Sequence, residues 1–430
     1  MSLKSAISGA VTSRLLSQAA LERRRRAAER ARRTAGAPHV VEYFHRPDDP
    51  YSHLAAQILG EFVRRYDIQL KPWLCSPPPN WAAPDRERLV AYSRVDAARL
   101  ARRAALDFID PGRQLDSIRV SQAEACLASS LARGTFVEEA AKIGTTLWRG
   151  DAFESKGPAL RPEAYRRAGD ARRDSLGHYL DAMFYYGGEW YWGLDRLHYL
   201  EARLVQLGAA KQGGPAQPIF TPSDPKNAPL PTQRGGGPLD YFLSFRSPYT
   251  YIAAERAKAL ADAYGVELRL RYVLPMVMRG MQVPRSKCSY ITGDAAREAR
   301  RAGVPFGRIA DPVGRPVERG YSLLPWAIAC GRGYEYCHSF MRAVWSEGVD
   351  AGENAGLRRI VERAGLEWNV ARTLVGNDDW RPQAEANRLE LLGLGLWGVP
   401  GFRFGGVAVW GQDRLWVIEE AMRGSPALTD

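Results

Sequence analysis

Ser247 is the side chain around which chemistry would be built. It falls in Asp240-Tyr-Phe-Leu-Ser-Phe-Arg-Ser-Pro-Tyr-Thr-Tyr-Ile-Ala-Ala254, which predicts a short, aromatic-rich buried strand running straight into a helix. A serine at that junction accepts hydrogen bonds from the first free helix amides, and Pro248 suits the first turn. The same helix end presents spare N–H groups and a positive partial charge to whatever lies beside the hydroxyl, which favours an anion such as a thiolate. From strand and helix alone, a plain cap is the simpler reading. Arg246 is either a solvated charge or a cation that favours a nearby thiolate.

The elements that must position Ser247 occur twice. Glu42-Tyr-Phe-His-Arg-Pro-Asp-Asp-Pro-Tyr-Ser-His-Leu-Ala-Ala56 aligns with it without a gap, 198 residues earlier. Phe184-Tyr-Tyr-Gly-Gly-Glu-Trp-Tyr-Trp-Gly-Leu-Asp-Arg-Leu197 likewise aligns with Phe402-Arg-Phe-Gly-Gly-Val-Ala-Val-Trp-Gly-Gln-Asp-Arg-Leu415, 218 residues later. The first half predicts strands at 40–45 and 68–74 around a helix at 50–65, helices at 86–106, 121–133 and 136–148, a hairpin at 184–192 and a helix at 195–207. The second predicts strands at 239–245 and 267–273 around a helix at 248–264, helices near 293–303, 320–331, 334–347, 354–364 and 378–393, a hairpin at 401–410 and a helix from Gln412. Strand, helix, strand makes a parallel pair with a helical crossover. Residues 208–238, dense in Gly and Pro, predict a linker between domains spanning 37–207 and 239–430.

At 430 residues, 45% hydrophobic and 25% charged, the chain is a globular protein with room for two domains. No apolar run approaches the roughly 18 residues of a membrane span. The five cysteines form no C-x-x-C pair, and the odd count fits reduced thiols in a cytoplasm. No zinc cluster is visible. Of the +12 net charge, +7 lies in residues 1–36, a basic helical arm. This arm lacks the apolar core and cleavage site of a secretory signal. Its preferred reading is a solvated Arg/Ala helix that packs loosely on the body or frays and is dispensable for folding; contact with a membrane surface or nucleic acid is set behind it, since no aromatic residue interleaves the charges.

The junction stretch, the Lys287-x-x-Tyr290-x-x-x-Asp294-x-x-Arg297 spacing, Trp345, and Gly398-Val-Pro-Gly-Phe402 followed by Phe404-Gly-Gly and Trp410-Gly-Gln-Asp-Arg-Leu415 resemble the 2-hydroxychromene-2-carboxylate isomerase and kappa-class glutathione transferase group. That group lies within the DsbA-type family of bacterial disulfide oxidoreductases. The resemblance covers residues 238–424 closely and 39–206 loosely. It implies an α/β chain of two tandem thioredoxin-like (DsbA-type) domains, each with a helical insertion, the first copy degenerate.

Where the oxidoreductases carry C-x-x-C, this chain has Ser247 and Thr250, and Asp49 and Ser52 in the first half. Disulfide exchange needs an attacking thiolate, so that chemistry is excluded at both junctions. The resemblance instead implies that Ser247 hydrogen-bonds the thiol of bound glutathione, with Tyr249 beside it; Arg246 departs from the family at that place and enters the expected glutathione site on its charge alone. It also implies a cis Val399-Pro400 bond that leaves the Val399 backbone to pair with the tripeptide. Gln412 and Asp413, opening the last helix, would hold the γ-glutamyl group, although Asp413 reads equally as a charge stabilising its own helix. Lys287, Tyr290 and Arg297 form a polar face over the site, with Cys288 read as packing and Trp345 and Trp148 as core. The expected function is a glutathione-dependent isomerase or transferase acting on an activated double bond of a small aromatic acid, without metal. A homodimer stays open. The alternative is a thioredoxin-like binding or scaffold protein with vestigial sites.

Overall fold

The computed structural model describes residues 3–153, 161–211, 217–223 and 236–424. The chain divides into two compact units, one of residues 22–222 and one of residues 1–21 together with 223–430. Its first elements are α1 (Leu3–Leu16) and α2 (Gln18–Thr34).

The unit of residues 22–222 continues with β1 (Val40–His45), α3 (Pro50–Arg65), β2 (Gln69–Leu74), α4 (Arg86–Ala104), α5 (Ser117–Arg133), α6 (Phe136–Arg149), α7 (Pro162–Ser175), β3 (Met183–Tyr186), β4 (Glu189–Trp192) and α8 (Gly193–Gln206). Its sheet has the order β2-β1-β3-β4, with β1 and β2 parallel and the other pairs antiparallel. The β3–β4 turn needs left-handed backbone at both central residues, which Gly187 and Gly188 supply at φ 51° and 86°.

The other unit has β5 (Leu239–Leu243), α9 (Pro248–Tyr264), β6 (Leu268–Tyr272), α10 (Arg285–Ala302), α11 (Arg315–Ala329), α12 (Gly333–Ser346), α13 (Asn354–Arg363), α14 (Trp368–Leu374), α15 (Arg381–Gly393), β7 (Gly401–Phe404), β8 (Val407–Trp410) and α16 (Leu415–Met422). Its sheet order, β6-β5-β7-β8, repeats the first with the same parallel and antiparallel pairings. The chain is therefore α/β, with one strand plan used twice and helices let in between the second and third strands of each sheet.

The residues that recur between the halves explain the recurring geometry. Tyr43 faces Phe184 across the first sheet with ring centroids 4.8 Å apart, and Tyr241 faces Phe402 across the second at 5.1 Å. Both tyrosines are buried and donate their hydroxyls to a carbonyl in the first turn of the following helix, Ser52 at 2.9 Å and Thr250 at 2.5 Å. Each pair thus locks the helix start against the hairpin strand, which fixes where Asp49 and Ser247 sit.

The arm is not one solvated helix. It breaks at Ser17 into α1, which falls in the unit of residues 223–430, and α2, most of which, from Glu22 on, falls in the other. Ala20 is buried, and Arg25 makes a two-pronged pair with Glu189 at 2.7 and 2.9 Å, where Arg203 also reaches Glu189 at 2.9 Å. The charges that suggested a free arm are partly spent on this contact. The expected linker is also partly packed: the Asp67 amide bonds the Ala209 carbonyl at 2.7 Å, the Ile219 amide bonds the buried Glu201 carboxylate at 3.1 Å, and Phe220 is buried. The remainder of that stretch, 212–216 and 224–235, lies outside the described residues.

Helix boundaries differ where polar runs hid the period. α10 starts at Arg285, well before the expected 293, and runs through Thr292 and Gly293. The helix expected from Gln412 opens as a single 3-10 turn over Gln412–Arg414 before α16. α7 and α14 were not separately anticipated.

Candidate active site

Ser247 is the N-cap of α9: its Oγ accepts from the Thr250 amide at 3.2 Å and donates to the Val399 carbonyl at 3.3 Å. The hydroxyl is half-buried, and it joins the helix end to the turn before β7. The Val399–Pro400 peptide is cis, as the resemblance implies. Phe245, two residues before Ser247, is clamped on its backbone, its amide bonded to Tyr321 Oη at 3.3 Å and its carbonyl to Trp345 Nε1 at 3.0 Å. Trp345 is core, as expected, but it also holds the strand-to-helix turn.

Arg246 is not a solvated charge. Its guanidinium grips Asp311 through two bonds, 2.7 and 2.8 Å, and this pair keeps its pKa raised despite burial. Tyr249 donates its hydroxyl to Asp294 on α10 at 2.8 Å, and Arg297 stands 3.6 Å from the same carboxylate. The expected polar face therefore has an anionic centre, Asp294, with Arg297 and Tyr249 on it. Tyr290 is half-buried on the same helix.

Lys287 differs from its neighbours. It lies seven residues before Asp294, hence on the same helix face about 10 Å along the axis. It is buried, and no hydrogen bond or ion pair reaches its ammonium among the described residues. Burial lowers its pKa, with only the Cys288 thiol acting in the opposite direction. The Lys287 Nζ is not among the fully buried unpartnered polar atoms, so the charged tip reaches solvent from a buried stem, where an arriving anion would pair with it. Cys288, half-buried, points its sulfur at the Val283 carbonyl, 3.8 Å away.

At the other end, the Gln412 side chain is largely spent inside the protein. Its amide donates to Glu298 at 2.8 Å and to Asp413, while its oxygen accepts from the half-buried Arg256. What this turn offers outward is Asp413, half-buried, whose charge opposes the desolvation that lowers the Arg256 pKa.

The matching place in the first unit is filled. Asp49 caps α3, accepting from the Ser52 amide at 2.8 Å and hydroxyl at 2.7 Å. Asp181, at the position of Val399, lies buried between two guanidiniums, Arg46 at 2.5 Å and Arg173 at 2.7 Å. Asp48 and Asp49 add a second and a third carboxylate on Arg46, at 2.7 and 3.8 Å. Burial pushes the Asp181 carboxyl up to about 6, with its two arginines pulling the other way.

Sequence reasoning missed Asp311, Glu298 and Arg256, all partners of residues it did single out. No local pattern marks Asp311, 65 residues from Arg246; Glu298 and Arg256 look like ordinary helix-surface charges. Trp148 is core, with its indole N–H unpartnered. Among the described residues no group of acidic, histidine or cysteine side chains is arranged to hold a metal, and no helix is long and apolar enough to cross a membrane.

Residues 238–423 match the family model of the DSBA-like thioredoxin domain. The chain is similar to the 2-hydroxychromene-2-carboxylate isomerase of Pseudomonas sp. (strain C18), 24% identical over 197 residues that cover 44% of this chain and 91% of that protein. It is also similar to the isomerase of the same name from Pseudomonas putida, 23% identical, covering 43% and 93%. Among solved structures, a 2-hydroxychromene-2-carboxylate isomerase aligns with TM-score 0.38 and 23% identity over 43% of this chain and 93% of that one. The cytosolic disulfide reductase DsbM from Pseudomonas aeruginosa aligns with TM-score 0.34 and 20% identity over 43% and 95%.

Proposed function

Starting from residues 238–423 as a DSBA-like thioredoxin domain, we propose that this domain is a glutathione-dependent isomerase or transferase acting on a small aromatic carboxylate. One observation carries the reading: at the junction where a thiol would act, the chain presents the Ser247 hydroxyl on free helix amides and no cysteine at 247 or 250. The thiol must then come with a ligand. The residues fit such a ligand, because Ser247 has one weak acceptor to give up, Lys287 lacks an anion among the described residues, and Asp413 stands at the opening of the last helical turn.

Ser247 turns its hydrogen from the Val399 carbonyl to the sulfur, while the α9 amides and the Arg246 guanidinium favour the ionised form. The Val399 backbone, released from that bond, pairs with the cysteinyl peptide. Asp413 takes the γ-glutamyl amine. Lys287 pairs with the carboxylate of the second substrate, the group for which the isomerase relatives are named. Bound glutathione supplies the nucleophile, its sulfur adding to and leaving an activated double bond so that rotation in between gives isomerisation, and release without expulsion gives transfer.

Calorimetric titration with glutathione tests this, since the proposal requires saturable binding that weakens on Ser247→Ala. Binding that is absent, or indifferent to Ser247, contradicts it.

A further inference from the structure

Within the unit that holds Ser247, α1 docks on the turn between α10 and α11. The Thr12 hydroxyl donates to the Gly9 carbonyl at 3.1 Å and accepts from the Ile309 amide at 3.1 Å, so its rotor is fixed by two bonds. Gly9 makes the approach close: a Cβ there would stand 3.2 Å from Arg308 Cγ and 3.7 Å from the Gly348 Cα. Leu16 packs on the same core, with its Cβ 3.6 Å from the position a Cβ on Gly307 would take.

That turn in turn controls the junction. Gly307 and Ala310 donate to the carbonyls of Trp345 and Val344 at 2.9 and 2.8 Å, and Phe306 stacks on Trp345 with centroids 5.9 Å apart. Trp345 holds the Phe245 carbonyl, and Asp311, two residues after Ile309, holds Arg246. These contacts converge on Phe245 and Arg246, the two residues that precede Ser247. Ile309 is buried, so without Thr12 its amide would be left unsatisfied, a cost that favours rearrangement of the turn.

We infer that α1 is a brace of the C-terminal site: Thr12 fixes the 307–311 turn, Asp311 on that turn fixes Arg246, and both are positioning residues for the anion at Ser247. The inference rests on the reading of Ser247 as the thiolate site. It gives part of the N-terminal segment a task at the site, where the sequence suggested a dispensable arm.

The test uses the full chain with Thr12→Val, which keeps shape and loses the acceptor, and Thr12→Ser, which keeps it. Hydrogen exchange is measured over 245–250 and 307–311, together with the pH at which bound glutathione ionises, followed by its ultraviolet thiolate band. Thr12→Val should speed exchange in both segments and raise the thiol pKa, by less than the about 1–3 units expected for Arg246→Ala; Thr12→Ser should restore both. Faster exchange confined to the 307–311 turn, or a thiol pKa equal to wild type, overturns the brace. If the wild type binds no glutathione, the proposed function fails, and exchange over 245–250 still decides whether α1 braces the junction.

Discussion

The Ser247 hydroxyl and the Val399 carbonyl, 152 positions apart in the chain, meet across a hydrogen bond of 3.3 Å. This contact ties the start of α9 to the turn before β7, the two pieces from which the site is assembled. It is long for an O–H···O bond, so under the proposed function a better acceptor, a thiolate, would displace it at little cost. Ser247→Ala should therefore lower turnover of a glutathione-dependent reaction sharply while costing stability only the cap, about 1 kcal/mol. Parallel rate assays and thermal melts check this.

Asp181 should have the opposite profile. It is buried between Arg46 and Arg173, and removing one member of a buried ion pair costs about 3–5 kcal/mol. Asp181→Ala is expected to lower the melting temperature markedly and leave glutathione binding unchanged. Asp49→Ala, which loses only the α3 cap, should cost about 1 kcal/mol, again without effect on turnover.

Lys287 sets a pH dependence. Burial lowers its pKa below the ordinary 10.5, so the folded protein sheds this proton before the unfolded chain does. Stability of the unliganded protein should rise as pH climbs from that lowered pKa towards 10.5, since the unfolded chain then holds more protons. A substrate carboxylate favours the charged form, so its affinity should fall over the same climb. Lys287→Met should weaken carboxylate binding and abolish this alkaline loss, as measured by titration across pH.

Arg25 tests the packing of α2. Its two bonds to Glu189 are charge-assisted and partly shielded, and Arg203 remains on Glu189 after its loss. Arg25→Ala should cost about 1 kcal/mol, against no cost for the exposed Arg23. Chemical denaturation of the two variants distinguishes them.

The strand plan was legible because Tyr43 and Tyr241, with their hairpin partners, recur in the same frame, and a side-chain period of two leaves little freedom once one face is buried. That Ser247 and the Val399–Pro400 turn would meet was legible for the same reason, being tied to strand ends, whereas the cis bond came from the resemblance alone. What hid was pairing at long separation. The partner of Arg246 hid because Asp311 sits on a turn with no pattern of its own. Gln412 read as a ligand-facing cap because Arg256 and Glu298, which occupy its side chain, looked like surface charges on two different helices. The arm misled because nine basic residues against two acids suggest solvation, whereas Glu189, 164 residues after Arg25, supplies the missing anion.

The most direct test is the ultraviolet thiolate band of glutathione titrated into the wild-type chain and into Ser247→Ala near neutral pH. The account predicts a saturable band with the wild type, at a pH where free glutathione is mostly protonated, and its loss or displacement to higher pH in the variant. No band at millimolar glutathione, or an identical band from both proteins, would contradict a thiolate site at Ser247 and leave a thioredoxin-like binding protein.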